Sequence, residues 1–396
     1  MKIGMILDAE FPPDPRVENE AVSLINAGHE VYLFCLQYGQ QKQSEVINGI
    51  QIKRFLSNNL EYKLSALAYT FFGYTFLMKR KIHRFIKENK VDALHIHDIR
   101  IAASVFSVNK KYKLPVVLDL HENRPEIMKF YPHLSKIPGK YLISPKKWKN
   151  KEEEFISKAT KVVVVTLEAK DEILKRVVIS SDNIIDVPNT VRKSFYINPK
   201  PVPEILNQYS NKFVLLYIGD TGIRRGLKTA IKATALLKNK IDTLKLVIVG
   251  KNSSDPVLKK LVKDLQIESY VDFLGWKDQS LFQSYILASD ICISPLHRNL
   301  HHDTTYANKI FQYMSFAKPI LVSDAIAQQK LVAKVNAGLV HKERDVKDFT
   351  HKILALYKSK PLRIELGAKG KYFVQNEFSW EETSKKLINL YDNLEN

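Results

Sequence analysis

The feature that most constrains the fold is a repeated alternation of short apolar runs with helical segments. In the N-terminal half, such runs begin at Ile3, Val31, Ala93, Val116 and Lys161. The runs are continuous and rich in β-branched residues, which is typical of parallel strands buried on both faces. The helical segments between them supply the crossovers that parallel strands need. We therefore predict an α/β fold with a doubly wound parallel sheet.

A Pro-rich connector at residues 196–203 separates this half from a second series of the same kind. The apolar runs of that series begin at Phe213, Leu244, Val271, Ile291 and Pro319, and a helix is predicted over residues 227–237. The pattern predicts two Rossmann-like domains, residues 1–195 and 196–375, that face a central cleft. Residues 380–394 are predicted to form one amphipathic helix.

Composition narrows the class of protein. Of 396 residues, 45% are hydrophobic and 26% charged, which is ordinary for a folded globular chain. No run of 18 apolar residues predicts a membrane-spanning helix, and Asp8 comes too early for a cleavable signal. Cys35 and Cys292 lie in apolar runs and are expected to be buried thiols of a reducing compartment. These features predict a cytoplasmic location.

The charge balance points to an anionic partner. Sixty-one Lys and Arg against 42 Asp and Glu give a net charge of +19. Residues 64–81 and 129–151 combine aromatic side chains with Lys and Arg. Such stretches suit an anionic membrane surface, so we expect peripheral association with the inner face of the cell membrane and no nucleic acid. The alternative is a core helix with a solvated basic end.

A glycine-rich loop follows the predicted strand at residues 213–218 and opens a helix. It carries Gly219, Gly222, Arg224 and Arg225. Glycines allow close backbone approach, the helix N-terminus favours anions, and arginines add fixed positive charge. The loop is therefore a candidate diphosphate cradle. Its spacing matches neither the dinucleotide-binding fingerprint nor the P-loop.

Two further loops and one helix of the second half could reach a nucleotide. The loops begin at Gly250-Lys251 and at Gly275, each directly after a predicted strand. Asn308, Lys309 and Gln312 share one helical face, and the Lys309 ammonium could counter phosphate charge.

In the N-terminal half, polar residues follow two predicted strands. His121 and Glu122 follow one strand, and His95, His97 and Asp98 end the other. These side chains should face the ligand side of the sheet. We predict no metal site, because the residues come from two strand ends and the two histidines of one strand lack a third ligand at close spacing.

Taken in order, these segments resemble the GT-B glycosyltransferases of family 4, the group 1 type, over nearly the whole chain. The resemblance rests on residues 11–21 and 27–31, His95–Asp98, Asp119–Glu122, Val187–Asn189, Tyr217–Gly219, Arg225–Gly226, Asn308–Met314 and Lys318–Pro319. It implies a nucleoside diphosphate sugar donor in the C-terminal domain and an acceptor in the N-terminal domain. It also implies retention of anomeric configuration without a metal or cofactor, and a final segment, 376–396, that crosses back to the first domain.

The resemblance also assigns roles. Arg225 and Lys309 would stabilise the departing diphosphate, with Arg224 as the register alternative to Arg225. His121 would contact the transferred sugar or the acceptor. The residues expected to bind the base, the ribose and the rest of the substrates are Arg16, Asp98, Glu122, Gly219, Gly222, Gly250, Lys251, Phe273, Gly275, Thr305, Tyr306, Asn308 and Gln312.

Four features depart from the family pattern. Thr305 and Gln312 stand where the family usually carries two glutamates seven residues apart, and Asp220 stands where an arginine often follows the first glycine. Asp14-Pro15-Arg16 replaces the glycine-rich first loop of the family. The resemblance as a whole implies a hexosyl-type glycosyltransferase of polysaccharide or glycolipid assembly. A non-catalytic nucleotide-sugar or glycan binder is the second hypothesis, and an unrelated nucleotide-dependent enzyme, such as a two-domain epimerase, is the third.

Overall fold

The computed structural model describes residues 1–131, Leu134, Ile137 and residues 139–395. Lys136, part of the second predicted basic stretch, lies outside these residues. The chain divides into two compact units, Met1–Pro188 together with Thr383–Asn396, and Asn189–Glu382.

The unit boundaries lie a few residues from the predicted ones, for a local reason. The Trp380 backbone N–H donates to the Val191 carbonyl at 2.9 Å, and the Lys193 N–H donates to the Glu381 carboxylate at 3.1 Å. These bonds hold residues 189–195 and 377–382 together inside the second unit.

The first unit is built on an eight-stranded sheet within the described residues. Its strands are β1 Lys2–Ile6, β2 Glu30–Gln37, β3 Ser44–Ile47, β4 Ile50–Leu56, β5 Ala93–His97, β6 Val116–Leu120, β7 Lys161–Val164 and β8 Ile184–Asp186. The strand order is β3-β4-β2-β1-β5-β6-β7-β8. Every neighbouring pair is parallel except β3 with β4, which form a hairpin that the sequence pattern did not predict.

The crossover helices of the first unit begin where the local sequence allows. They are α1 Pro15–Asn26, α2 Asn59–Ser65, α3 Gly73–Asn89, α4 Ala102–Tyr112, α5 Arg124–Met128, α6 Gly139–Leu142, α7 Pro145–Lys158 and α8 Leu167–Leu174. The Asp14 side chain caps α1 by accepting from the backbone N–H groups of Arg16 and Val17, and Pro15 occupies the first helical position. This cap places Arg16 in the first turn of α1.

The second unit has a six-stranded, all-parallel sheet of order β11-β10-β9-β12-β13-β14. The strands are β9 Phe213–Ile218, β10 Leu244–Val249, β11 Val271–Gly275, β12 Ile291–Ser294, β13 Ile320–Ser323 and β14 Gly338–His341. The helices are α9 Pro203–Tyr209, α10 Leu227–Leu237, α11 Asp255–Asp264, α12 Phe282–Leu287, α13 Leu300–Asp303, α14 Lys309–Ser315, α15 Ile326–Val335, α16 Val346–Lys358, α17 Lys360–Asn376 and α18 Trp380–Thr383. Two doubly wound α/β units were predicted, and this is confirmed.

The prediction of one helix over residues 380–394 is wrong. The structure has α18, a break at Ser384, and then α19, Lys385–Glu395, which belongs to the first unit. The Thr383 hydroxyl donates to the Pro188 carbonyl at 3.4 Å where the chain passes between units. The break lies two residues after Glu382, the last residue of the second unit, and helical periodicity does not encode such a boundary.

Two predictions drawn from composition can be compared with the structure. Cys35 and Cys292 are free and fully buried, as predicted, and burial raises the pKa of each thiol to about 12. No helix within the described part of the chain is both long and apolar enough to cross a membrane.

Candidate functional site

Three glycines form the floor of the candidate donor site in the second unit. Gly219, Gly250 and Gly275 stand at the carboxyl ends of the neighbouring strands β9, β10 and β11, and all three have positive φ. The Gly219 N–H donates to the Val249 carbonyl at 2.8 Å, and the Gly250 N–H donates to the Gly275 carbonyl at 2.7 Å. A Cβ on Gly250 would lie 1.9 Å from the Gly219 carbonyl oxygen, so only glycine fits. The structure thus brings together three loop residues predicted from sequence.

The loop between Gly219 and α10 contains a 3-10 turn and an internal hydrogen bond that the sequence analysis did not predict. Ile223–Arg225 form a 3-10 turn, and Gly226 then adopts a left-handed φ of 79° before α10 begins. Gly222 has φ −53°, and its N–H donates to the Asp220 carboxylate at 3.1 Å. Gly222 was predicted to bind substrate; in this structure its amide already donates to the side chain of Asp220.

Asp220 also partly neutralises the predicted catalytic arginine. The Arg225 Nε lies 3.4 Å from Asp220 Oδ2. Burial by itself would raise the Asp220 pKa, but the charge of Arg225 and the Asn252 amide hold it below its ordinary value. Asp220 is a member of the site that sequence reasoning noted only as a departure from the family.

The arginines lie close to a histidine pair that the sequence analysis missed. His301 and His302 are buried, and burial is the main reason that their pKa values fall to about 2 and about 3. The positive charges of Arg224 and Arg225 lower both values further. Both imidazoles are therefore neutral at pH 7. No sequence motif marks them; only their position beside two arginines does.

Lys309 is the most unusual side chain of this unit. Its Nζ lies 3.5 Å from the centre of the Tyr217 ring, is buried, and has no hydrogen-bond partner. A Cβ on Gly219 would lie 3.2 Å from that Nζ, which places the ammonium at the glycine floor. Burial, and then the charge of Arg225, lower the Lys309 pKa well below its usual value. A buried amine without a partner is a site where an anion would be stabilised.

The remaining predicted donor residues are spread around α14. Asn308 is exposed at the N-cap of this helix, and Gln312 is partly exposed one turn later. The Thr305 hydroxyl donates to the His301 carbonyl at 2.7 Å, and Tyr306 packs edge-on against Phe311. Thr305 and Tyr306 were expected to bind substrate; in the structure their groups hold the segment before α14 in place.

Lys251 and Phe273 lie beside the glycine floor. Lys251 is exposed, and Phe273 is partly exposed on β11 with the Lys259 Nζ 5.8 Å from its ring centre. Both side chains are therefore accessible from solvent.

The first unit gathers its predicted polar residues at the carboxyl ends of β5 and β6. His121, 14% exposed, places Nε2 2.5 Å from Asp119 Oδ2 and 3.1 Å from His97 Nδ1. Burial opposes protonation, but the charge of Asp119 raises the His121 pKa to about 9. His121 is therefore a cation at pH 7. Its pairing with Asp119 compensates for the burial of that carboxylate.

Asp98 and Glu122 flank that histidine differently. Asp98 has a left-handed φ of 64°, and its carboxylate accepts from Arg124 at 2.6 Å. The charge of Arg124 outweighs burial and lowers the Asp98 pKa. Glu122 is exposed. Of these two predicted substrate contacts, only Glu122 leaves its carboxylate open to solvent.

The prediction that Arg16 binds substrate does not fit its position. Arg16 is 5% exposed, and its Nη2 lies 2.9 Å from Glu20 Oε1 and 2.9 Å from Asp119 Oδ1. Its Nη1 donates to the Val187 carbonyl at 3.4 Å. The guanidinium thus points into the unit, where it balances two buried carboxylates.

Two family comparisons cover most of the chain. The family described as Glycosyltransferase Family 4 matches residues 16–195, and the family described as Glycosyl transferases group 1 matches residues 200–373. The chain belongs to the family 4 glycosyltransferases. Each matched range corresponds closely to one of the two α/β units.

Individual relatives are distant. The putative glycosyltransferase EpsD of Bacillus subtilis is 24% identical over 179 residues, which cover 45% of this chain and 45% of EpsD. The match thus spans about half the length of that curated relative. The activity of EpsD is therefore not assigned to this glycosyltransferase.

Solved structures show that this glycosyltransferase has the GT-B fold. Sucrose-phosphate synthase from Thermosynechococcus elongatus superimposes with a TM-score of 0.81 at 16% identity, covering 99% of this chain and 98% of the other. Anabaena Alr3699/HepE in complex with UDP-glucose superimposes with a TM-score of 0.73 at 13% identity, covering 99% and 100%. At these identities the likeness establishes the fold alone.

Proposed function

We propose that this glycosyltransferase moves a hexosyl-type group, with retention of anomeric configuration, from a nucleoside diphosphate sugar to a polysaccharide or glycolipid acceptor. The second unit would bind the donor, and the first unit would receive the acceptor. The observation that carries the proposal is the buried, unpartnered Lys309 Nζ beside the glycine floor and near Arg225.

The chemistry follows from charge. As the bond between the anomeric carbon and the diphosphate oxygen breaks, negative charge grows on that oxygen. Lys309 and Arg225 would stabilise this charge from fixed positions, with Lys309 already desolvated. Preorganised groups of this kind typically contribute about 3 kcal/mol each to lowering a barrier. Gly219 carries no side chain that would separate the donor from Lys309, whose Nζ lies 3.2 Å from where a Cβ would stand.

His121 is proposed to contact the transferred sugar or the acceptor. Its ring is held by Asp119 and His97, and it remains partly open to solvent. An imidazolium in that position can donate a hydrogen bond to a sugar hydroxyl or to an acceptor phosphate.

The first experiment is a thermal-shift panel of UDP, GDP, ADP and NAD. A nucleotide at 100 times its Kd stabilises the folded chain by about 2.7 kcal/mol. UDP is the first to test, since HepE was solved in complex with UDP-glucose. Stabilisation by NAD and by no nucleoside diphosphate would contradict the proposal. Turnover of the matching sugar donors, with the product anomer assigned by NMR, then tests transfer and retention.

A non-catalytic binder is the second candidate function, and one observation favours it. Thr305 and Gln312 replace two glutamates of the family pattern, and the Thr305 hydroxyl is already bonded to the His301 carbonyl. Tight nucleotide-sugar binding without transfer or hydrolysis across the donor panel would select this alternative.

We also propose that the first unit docks peripherally on an anionic membrane. The two basic aromatic stretches lie side by side, because the Thr70 hydroxyl donates to the Leu142 carbonyl at 2.6 Å. Phe71, Phe72 and Phe76 are 51%, 89% and 58% exposed. Phe71 and Phe72 line a groove of about 670 Å³, whose lining also includes Lys79, Lys110, Lys151 and Lys158. Trp148, expected on this surface, is instead 2% exposed and packs on Tyr69.

Vesicle co-sedimentation tests this docking. Replacing Phe71 and Phe72 by Ser should weaken binding to anionic vesicles at least about tenfold, since each inserted ring contributes about 1.5–3 kcal/mol. Tyr372→Ser, at a 65% exposed aromatic residue of the second unit, is the matched control and should bind as wild type. Equal binding of the Phe variant and the control would refute the proposed surface.

A further inference from the structure

Four buried side chains of the first unit converge on one point. They are Glu20 from α1, His95 and His97 from β5, and Asp119 from β6, each at most 1% exposed. Their nearest nitrogen and oxygen atoms all lie within 4.8 Å of one another. The sequence analysis expected no third ligand close to the two histidines. That expectation is wrong, because the helix and the neighbouring strand each supply a carboxylate.

The spacing of these atoms suits a small divalent cation. His95 Nε2 lies 3.3 Å from Glu20 Oε2 and 3.6 Å from Asp119 Oδ2. His97 Nδ1 lies 3.5 Å from Asp119 Oδ2 and 4.0 Å from Glu20 Oε2. Four tetrahedral ligands at about 2.0–2.1 Å from a zinc ion would be about 3.3–3.4 Å apart. The observed distances are close to this spacing, and the His97 imidazole would have to move inward the most to bind the ion.

Arg16 and Tyr391 contact the cluster side chains in the way that residues around a metal site contact its ligands. Arg16 Nη2 lies 2.9 Å from Glu20 Oε1 and from Asp119 Oδ1, which are the oxygens turned away from the convergence point. The Tyr391 hydroxyl lies 2.8 Å from His95 Nδ1, the other ring nitrogen. Contacts of this kind orient imidazole and carboxylate ligands.

Two of the four inward atoms are left without hydrogen bonds. Glu20 Oε2 and His95 Nε2 are buried and have no hydrogen-bond partner. Both unpartnered atoms belong to fully buried residues, where an unsatisfied polar atom is costly unless an ion binds it.

We propose that Glu20, His95, His97 and Asp119 form a structural site for one divalent cation of the zinc class. Two imidazoles with two carboxylates are a donor set that zinc accepts, and the full burial of all four residues fits a closed site rather than a catalytic one. The ion would fix α1 against β5 and β6 and, through His95 and Tyr391, hold α19 on the same unit.

Three neighbouring contacts compete with the ion. Asp119 Oδ2 also lies 2.5 Å from His121 Nε2 and 3.3 Å from Arg16 Nε. His97 Nδ1 lies 3.1 Å from His121 Nε2. The metal-free alternative is a network in which protons on the imidazoles, His121 among them, balance the carboxylates. The two states differ in one measurable quantity, the metal content of the folded chain.

The test uses the full chain, purified without a polyhistidine tag or chelator from cells supplied with zinc. Elemental analysis should find about one zinc per folded chain, with the content lost in His95→Ala and in His97→Ala. His83→Ala removes a histidine of α3 that contacts Tyr112 outside the cluster, and its zinc content should equal that of wild type.

A second measurement protects the test against variants that fail to fold. Wild-type protein stripped of metal and titrated with Co²⁺ should develop the intense visible absorption of tetrahedral cobalt, which zinc then abolishes. Only trace metal in the folded wild type together with no cobalt spectrum overturns the proposal and assigns the cluster to the protonated network. Zinc retained in both folded cluster variants also overturns it.

Discussion

The position of Lys309 predicts that one substitution changes stability and activity in opposite directions. The Lys309 amine is buried without a hydrogen-bond partner, and its Nζ lies 3.5 Å from the centre of the Tyr217 ring. An unsatisfied buried polar group costs about 1–3 kcal/mol. The protonated fraction recovers part of this cost, at most about 2 kcal/mol, through its contact with the ring. We therefore expect Lys309→Met, of similar shape, to stabilise the ligand-free second unit by about 1 kcal/mol.

The expected change in stability is large enough to measure. For a unit of this size, about 1 kcal/mol corresponds to a rise in Tm of about 2–4 °C. The same variant loses the charge that we propose stabilises the departing diphosphate, so turnover should fall by about 10²–10³. Differential scanning calorimetry of the ligand-free chain gives the first quantity, and transfer assays with the donor identified in the nucleotide panel give the second.

Lys318 is the matched control in the same unit. Its Nζ is also largely removed from water but donates to the Leu287 and Ser289 carbonyls at 2.9 and 2.6 Å. Lys318→Met should therefore lower Tm, because it leaves two carbonyls without their donor. If Lys309→Met lowered Tm as Lys318→Met does, or left turnover intact, the argument from the unpartnered ammonium would be refuted.

Three further predictions concern the same unit. Arg225→Ala should cut turnover at least about tenfold with an unchanged melting curve, since it removes a diphosphate-facing cation; unchanged turnover would exclude that role. Gly250→Ala should destabilise the unit by about 2–4 kcal/mol in urea unfolding because its Cβ would overlap the Gly219 carbonyl, whereas Gly28→Ala, with positive φ but open space, should cost about 1–2 kcal/mol. UDP affinity should fall as pH rises, with proton uptake on binding seen by calorimetry in buffers of different ionisation enthalpy, because burial lowers the Lys309 pKa and a bound diphosphate raises it again. Identical pH dependence in Lys309→Met would assign the proton to another group.

Local sequence was enough to predict the elements that carry the donor site. The strand Phe213–Ile218 and the helix Leu227–Leu237 have the predicted bounds, because a β-branched apolar run and a helical pattern are properties of neighbouring residues. The glycines that follow β9, β10 and β11 could also be placed in advance, since parallel strands deliver their carboxyl ends to one edge of a sheet.

Local sequence could not predict the contacts inside the candidate donor site. Whether Asp220 faces solvent or takes the Gly222 amide and pairs with Arg225 depends on a turn whose closure involves Asn252, far along the chain. The same holds for Lys309, whose lack of a partner becomes visible only when the surrounding atoms are in place.

Local sequence patterns were sufficient to predict the two parallel α/β units, their approximate boundary and the loops that are proposed to bind ligands. They did not predict that Arg16 points inward, or that Glu20, His95, His97 and Asp119 meet in the packed fold although about 100 residues separate the first from the last. The physical reason is that strand and helix formation depends on local backbone and burial preferences. Which buried charges balance one another depends instead on strand order and helix placement, and no short window of sequence specifies these.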